Sequence, residues 1–500
     1  MRRGGVAEIM ECRMSCKNES WWVALILSVF FLVNLFTAHL SPVPWYDEVF
    51  YVSPGLNLYL GEGFVSNAWP FQSGHDFWSC YVPLYPLLLS VWLKIFGFSL
   101  TTIRSMGYFF AALAGFFLWL SSLRFGWFKD TRGRLTLLVL ALCGHGATIS
   151  YRSGRQDALA ILLAAALLCS FSIKNKYGRF ISIFVLAFIC PWVQLPLVLY
   201  GIFIAVLFFF YFKKAFLDEF IMMGLGFFSG IPWMLAFFGW HDAMDAFLAY
   251  NKQYVFFGQT WQEKQRLLVI QNASVGAIFL FIVALFLLWK AGRYLTSQQK
   301  TRLRFAGTVF LLFPLIMWLV WDFHVQYSWT ISLPLRICVI MALFSADFSL
   351  GAKQKKILLA AIISFVLIAG LPARLALILY QYEARDYRMV ETFIKKHVKK
   401  EDVVYCGFLP YYAVKAITPH VFLWTYSTFT EKDKKDVSIV IIRPDSIADY
   451  KGDIGGEWFL QDTLDSNPNH KGEIGFGRWK IKPPKNDLEV YRRTPRGVET

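Results

Sequence analysis

Apolar runs long enough to cross a bilayer recur from residue 21 to residue 376, and the breaks between them alternate in charge. A span needs about 20 apolar residues. Runs of that order fall near 21–40, 104–123, 135–151, 157–173, 180–195, 197–212, 219–238, 267–289, 305–321, 329–349 and 357–376. If each crosses once, the basic clusters Arg124–Arg134, Lys174–Arg179, Lys213–Lys214, Lys290–Arg304 and Lys353–Lys356 all share a side with Arg2, Arg3, Arg13 and Lys17. Cytoplasmic loops carry the Lys/Arg excess, so that side is the inner one. The expected fold is an α-helical polytopic membrane protein of about eleven transmembrane helices. Val82–Phe96 is also apolar, but counting it as a crossing would turn every later basic cluster outward. It is therefore read as a juxtamembrane or re-entrant helix in the first outer loop, 41–103.

Composition agrees with a membrane protein carrying a soluble appendage. The 500 residues are 56% hydrophobic and 18% aromatic, with mean hydropathy +0.46. The net charge of +16 lies largely in short loops between apolar runs, which excludes nucleic acid as the partner it serves. The run Trp21–Leu40 is too long for a signal-peptide core and has no small-residue cleavage site, so it reads as an uncleaved first span. Cysteines at 12, 16, 80, 143, 169, 190, 338 and 406 show neither framework nor metal-ligand spacing. Cys80 and Cys406 both fall outside and could pair, with two free thiols the favoured reading.

After residue 376 the pattern changes. Arg385–Lys400 has apolar residues near helical spacing, Val403–Phe408 and Val437–Ile442 read as buried strands, Tyr411–Ile417 as a short helix and Leu488–Tyr491 as a last strand. The expected organisation is a cytoplasmic tail (1–20), a membrane domain (21–376) and a small extracytoplasmic α/β domain (377–500).

Chemistry concentrates at the outer mouths of the spans. Between Lys17 and Lys94 there is no Lys or Arg, while Asp47, Glu48, Glu62 and Asp76 fall in that interval. Asp47 and Glu48 follow directly on the first span among aromatics, where a partly desolvated carboxylate suits a general base acting on a hydroxyl; solvated loop acids at a helix start are the alternative. Tyr151-Arg152-Ser153-Gly154-Arg155-Gln156-Asp157 places two arginines and an acid at another outer mouth. Arginine there suits a phosphate, which it grips with parallel hydrogen bonds, and an Arg–Asp pair holding the loop is the even alternative. His324 and Tyr327 line a third mouth and could face a lipid headgroup, or serve as interfacial anchors. His75 and Asp76 are substrate contacts or ordinary loop polars, too few to claim a metal. Tyr85 is grouped with them as a substrate contact. Lys252, Lys264 and Arg266 in the outer loop 239–266 could meet an anionic headgroup. No nucleotide loop, zinc-protease motif or serine-hydrolase motif occurs. A membrane enzyme with its acids outside and no nucleotide site needs an activated substrate carried in the lipid.

The order Tyr46-Asp47-Glu48-Val49-Phe50-Tyr51, Leu60-Gly61-Glu62-Gly63, Val82-Pro83-Leu84-Tyr85-Pro86-Leu87-Leu88 and Gly154-Arg155-Gln156-Asp157-Ala158-Leu159 resembles the GT-C glycosyltransferases of the protein O-mannosyltransferase and lipid A aminoarabinose transferase superfamily. That resemblance covers Trp21 to about Leu168 and continues loosely beyond. It implies a transferase using a polyprenyl-phosphate sugar, by single displacement with inversion; the expected location is the plasma (inner) membrane if the source is a bacterium, whereas in a eukaryote the outer face would be a lumen. It also implies Asp47 as catalytic base with Glu48 in support, Asp157 as the second outer-loop acid, and Arg155, joined by Arg152, on the lipid phosphate. The acceptor would be a glycan, a lipid or a protein; a divalent metal is possible and not demanded. Where many relatives carry a lysine before the re-entrant helix, this chain has Cys80-Tyr81-Val82. The rival readings are a transporter or flippase of lipid-linked sugars, to which Pro191-Trp192-Val193-Gln194-Leu195-Pro196 lends a broken helix, and a receptor worked by its C-terminal domain.

Overall fold

The computed structural model describes residues 4–70, 72–213, 215–257, 273–290, 295–320, 325–344, 352–444, 454–466, 472–476 and 479–493. Among these, α1 (Gly4–Phe36) enters first, and α2 (Tyr46–Leu60) and α3 (Leu84–Phe96) fill the first outer loop. The bundle continues with α4 (Leu100–Arg124), α5 (Thr131–Cys143), α6 (His145–Arg152), α7 (Asp157–Ser170), α8 (Lys176–Val193), α9 (Leu195–Phe212) and α10 (Leu217–Gly239). It is completed by α11 (Met244–Phe257), α12 (Ala273–Lys290), α13 (Ser297–Val320), α14 (Trp329–Phe344), α15 (Ala352–Ala369) and α16 (Leu371–Tyr380).

Among the described residues, six helices are long and apolar enough to cross a membrane, or eight if each of two bent pairs is one span. Reaching the expected eleven takes three shorter apolar helices as well: α7, α12 and α14. The protein is thus an integral, multi-pass membrane protein. The run 135–151 is not straight: α5 and α6 meet at 53°. The break frees the Leu140 carbonyl, which accepts from Arg336 Nη1 at 3.2 Å, the kind of substitute partner a broken span requires. Outer loop 239–266 is partly helical, since α11 occupies Met244–Phe257; Lys264 and Arg266 lie outside the described residues.

On the basic side, Arg134 donates to Glu19 from Nε and Nη2 at 2.7 and 2.6 Å, tying α1 to α5. In the first outer loop, α2 and α3 pack so closely that a Cβ on Gly55 would stand 2.4 Å from the Pro86 carbonyl oxygen. These two helices form a platform over the membrane end of the bundle.

The C-terminal α/β domain begins with the amphipathic helix α17 (Arg388–His397), which buries Val390 and Ile394. Its five-stranded sheet has the order β2-β1-β3-β7-β4: β1 (Val404–Cys406), β2 (Val421–Leu423), β3 (Ile439–Ile442), β4 (Trp458–Leu464) and β7 (Leu488–Arg493). β1 runs parallel to β2 and β3, while β7 is antiparallel to β3 and β4. The continuous apolar runs of β1 and β3 are buried, as parallel strands covered on both faces are. Sequence periodicity missed β2, β4 and a small hairpin of β5 (Ile474–Phe476) and β6 (Trp479–Ile481). Cys80 and Cys406 are both buried free thiols.

The domain is fastened to the first outer loop. Leu423 donates its N–H to the Asn67 carbonyl at 3.0 Å, the Thr425 and Thr428 hydroxyls donate to the carbonyls of Ala68 and Gln72, and Lys415 pairs with Glu62 at 3.0 Å.

Candidate active site

Asp47 and Glu48 occupy the first turn of α2, where negative charge is favoured by the helix dipole. Successive side chains on a helix diverge by about 100°, so the two neighbours face different surroundings. Glu48 points inward and is fully buried; Arg104 of α4 grips it through Nε and Nη2, both at 2.7 Å. Burial pushes the Glu48 carboxyl above its ordinary value, and Arg104 opposes that. Asp47 points the other way and keeps 19% of its side chain exposed.

The partner of Asp47 comes from the turn between α6 and α7. Arg155 pairs with Asp47 through Nη1 and donates from Nε to Asp157 Oδ2 at 2.9 Å. One guanidinium therefore bridges two carboxylates from separate parts of the chain. Asp157, at the first turn of α7, is fully buried and also accepts from Gln194 Nε2 at 3.0 Å. Arg155 lies 4.9 Å from the ring centre of Tyr51 and 5.9 Å from that of Trp45, within cation–π range. Its Nη2 has no protein acceptor among the described residues.

Several contacts hold that turn. Tyr85 donates its hydroxyl to the Gly154 carbonyl at 2.7 Å, and Trp45 Nε1 donates to the Ser153 carbonyl at 3.3 Å. Gly154 has φ +65°, and a Cβ there would meet the Glu48 side chain at 2.6 Å. Glycine satisfies both the left-handed backbone and the close approach.

The remaining sequence-picked residues divide. Arg152 is fully buried, and its Nη atoms donate to Asn34 Oδ1, the Thr37 hydroxyl and the carbonyls of Thr37 and Ser41. Its guanidinium is thereby spent on the end of α1, not turned toward Arg155's acids. Tyr85 is likewise an internal prop, buried against Gly154. His75 and Asp76 are exposed, and their described contacts are backbone bonds to Ser73. Tyr327 is buried and shares a small cavity with Gln194 and Trp329. Its hydroxyl acts electrostatically on Tyr51 and Tyr81, and burial raises both of those phenols. His324 lies outside the described residues.

Sequence reasoning missed Arg104, Gln194 and Tyr81. Arg104 had a signal, a cation at the outer end of an apolar run against the positive-inside trend. Gln194 stands in extended backbone between α8 and α9, within the Pro191–Pro196 passage noted above as a helix break.

For a divalent ion the fit is poor. No group of three or more His, Cys, Asp and Glu converges among the described residues, whereas hard cations take six or more oxygens. The gap between Asp47 and Asp157 is filled by Arg155.

This architecture, with α2 and α3 at one end of a polytopic bundle and an α/β domain fastened to them, has the GT-C fold, as a likeness to solved structures shows. The likeness is to ArnT from Cupriavidus metallidurans. Its crystal structure bound to undecaprenyl phosphate superposes with a TM-score of 0.63 at 10% identity, over 94% of this chain and 98% of that one. The apo form gives 0.63 at 11% identity, with the same coverage. No protein-family model and no curated protein matches the sequence.

Proposed function

We propose that this chain is a membrane glycosyltransferase that moves a sugar from a polyprenyl-phosphate donor to an acceptor hydroxyl at the outer face of the plasma membrane, with the α/β domain extracytoplasmic. The observation that carries the reading is the Asp47–Arg155–Asp157 bridge at the outer mouth of the bundle. It is supported by the likeness in fold to a structure whose bound lipid is undecaprenyl phosphate.

Each group then has one task. Asp47 keeps solvent access and takes the proton of the acceptor hydroxyl. The acceptor oxygen attacks the anomeric carbon from the face opposite the phosphate, and that carbon's bond to the phosphate oxygen breaks. Polyprenyl phosphate leaves with the electron pair, and the sugar inverts. Arg155 offers Nη2 to the donor phosphate and offsets the charge that develops on it. Asp157 and Gln194 orient Arg155 from the buried side. Glu48 acts on α2 as half of an internal ion pair, a positioning role.

The test is transfer of labelled sugar from a panel of polyprenyl-phosphate donors in membranes, comparing wild type with Asp47→Asn, which keeps the shape and removes the base. Turnover that falls by a factor of about 10² to 10⁴ in the variant, with insertion unchanged, supports the reading. Full turnover in Asp47→Asn would remove it as base. Labelled lipid crossing the bilayer with no transfer from any donor would replace the transferase with a flippase.

A further inference from the structure

The α/β domain brings its own rings to the Asp47 end of α2. Phe408, just after β1, has its ring centre 6.0 Å from Tyr46, 5.8 Å from Phe50 and 5.5 Å from Trp424, which follows β2. Tyr46 in turn meets Trp45 at 5.1 Å, and Trp45 faces the Arg155 guanidinium. The row Trp45–Tyr46–Phe408–Trp424 therefore runs from the guanidinium across the junction of the two parts of the protein. Tyr46, next in sequence to Asp47, is 50% exposed and Trp424 is 39% exposed. Both rings are thus part-accessible from solvent, at the end of α2 that carries Asp47.

We propose that this row is an acceptor subsite and that the acceptor is a saccharide, a reading that rests on the transferase assignment. Aromatic faces are electron-rich. A sugar ring lays its weakly positive C–H face on such a surface and leaves its hydroxyl edge free, here toward Asp47. The cation at the end of the row is shared between two carboxylates through Nη1 and Nε, and its Nη2 is assigned above to the donor phosphate, so the row suits a neutral acceptor ring. A peptide acceptor is disfavoured by the sheet edge nearby. The main chain that continues β2 is already bonded to the first outer loop, through Leu423 N–H to the Asn67 carbonyl, with Thr425 and Thr428 reinforcing it. That leaves little free backbone for an added strand.

The experiment uses the purified full-length chain in detergent. Saturation-transfer NMR is run with methyl glycosides of common hexoses and pentoses, their disaccharides, and an unglycosylated Ser/Thr peptide. Wild type is compared with Trp424→Ala, Tyr46→Ala and Asp47→Asn, and size-exclusion profiles check each fold. The expected result is that a saccharide of the panel binds wild type and Asp47→Asn alike, and that each ring variant weakens binding about tenfold, the size of one good ring contact. In transfer assays Trp424→Ala raises the acceptor KM by a similar factor and leaves hydrolysis of the donor unchanged. Sugar binding indifferent to both ring variants, no sugar binding at all, or ring-dependent binding of the peptide instead overturns the subsite. Ring-dependent sugar binding without transfer from any donor supports the subsite and overturns the transferase; transfer untouched by Trp424→Ala does the reverse.

Discussion

Asp47 and Glu48 are adjacent in sequence and belong to different machinery. The divergence of side chains on α2 sends one carboxylate to a buried arginine and the other to a half-open bridge. Substitutions at the two positions should therefore fail in different ways. Glu48→Ala leaves Arg104 buried without its partner, at a cost of about 3–5 kcal/mol. The expected outcome is loss of the monodisperse peak and a large drop in thermal stability by fluorescence-detected size exclusion, whereas Asp47→Asn keeps both. Arg155→Lys is the complementary test. A lysine holds one acid as a point charge and lacks the planar fork that serves Nε and Nη1 at once. Turnover should fall by a factor on the order of 10² to 10³, beyond what any accompanying loss of thermal stability accounts for at the assay temperature; wild-type turnover in Arg155→Lys would show that the bridge is dispensable.

At the scale of elements, the site depends on one turn and one docking contact. The α6–α7 turn approaches α2 because Gly154 has no side chain and adopts a left-handed φ. Gly154→Ala is expected to displace Arg155 from both Asp47 and the donor phosphate, so kcat/KM for the donor falls; an unchanged value would mean the turn tolerates the shift. In the docking contact, burial holds the Lys415 ammonium below the usual lysine range despite its pairing with Glu62. The unfolded chain then binds this proton more tightly than the folded one between that lowered value and the ordinary 10.5, so stability rises with pH across the window. The difference in thermal midpoint between wild type and Lys415→Met, followed up to alkaline pH, should shift in favour of wild type; a flat difference would contradict the shift.

For the whole molecule, much of the architecture was legible in the sequence and the site was legible only in part. Membrane spans announce themselves because a crossing needs a run of about 20 apolar residues. β1, β3 and β7 showed as apolar runs, but β2 is only three residues long and is placed by its parallel pairing with β1, a partner outside the reach of any local sequence pattern. Asp47, Arg155 and Asp157 stood out as charges at outer mouths. What separated Arg155 from Arg152 was not their chemistry but direction: one guanidinium faces two acids and the other the end of α1.

The sequence by itself determined the membrane class and the placing of Asp47, Glu48, Arg155 and Asp157 just beyond apolar runs, because hydrophobicity acts locally along a chain. The tertiary structure alone decided that Glu48 belongs to Arg104, that one arginine bridges Asp47 and Asp157, and that rings of the C-terminal domain reach α2. Those pairings join residues far apart in the chain, and only packing in three dimensions brings such groups within a few ångströms.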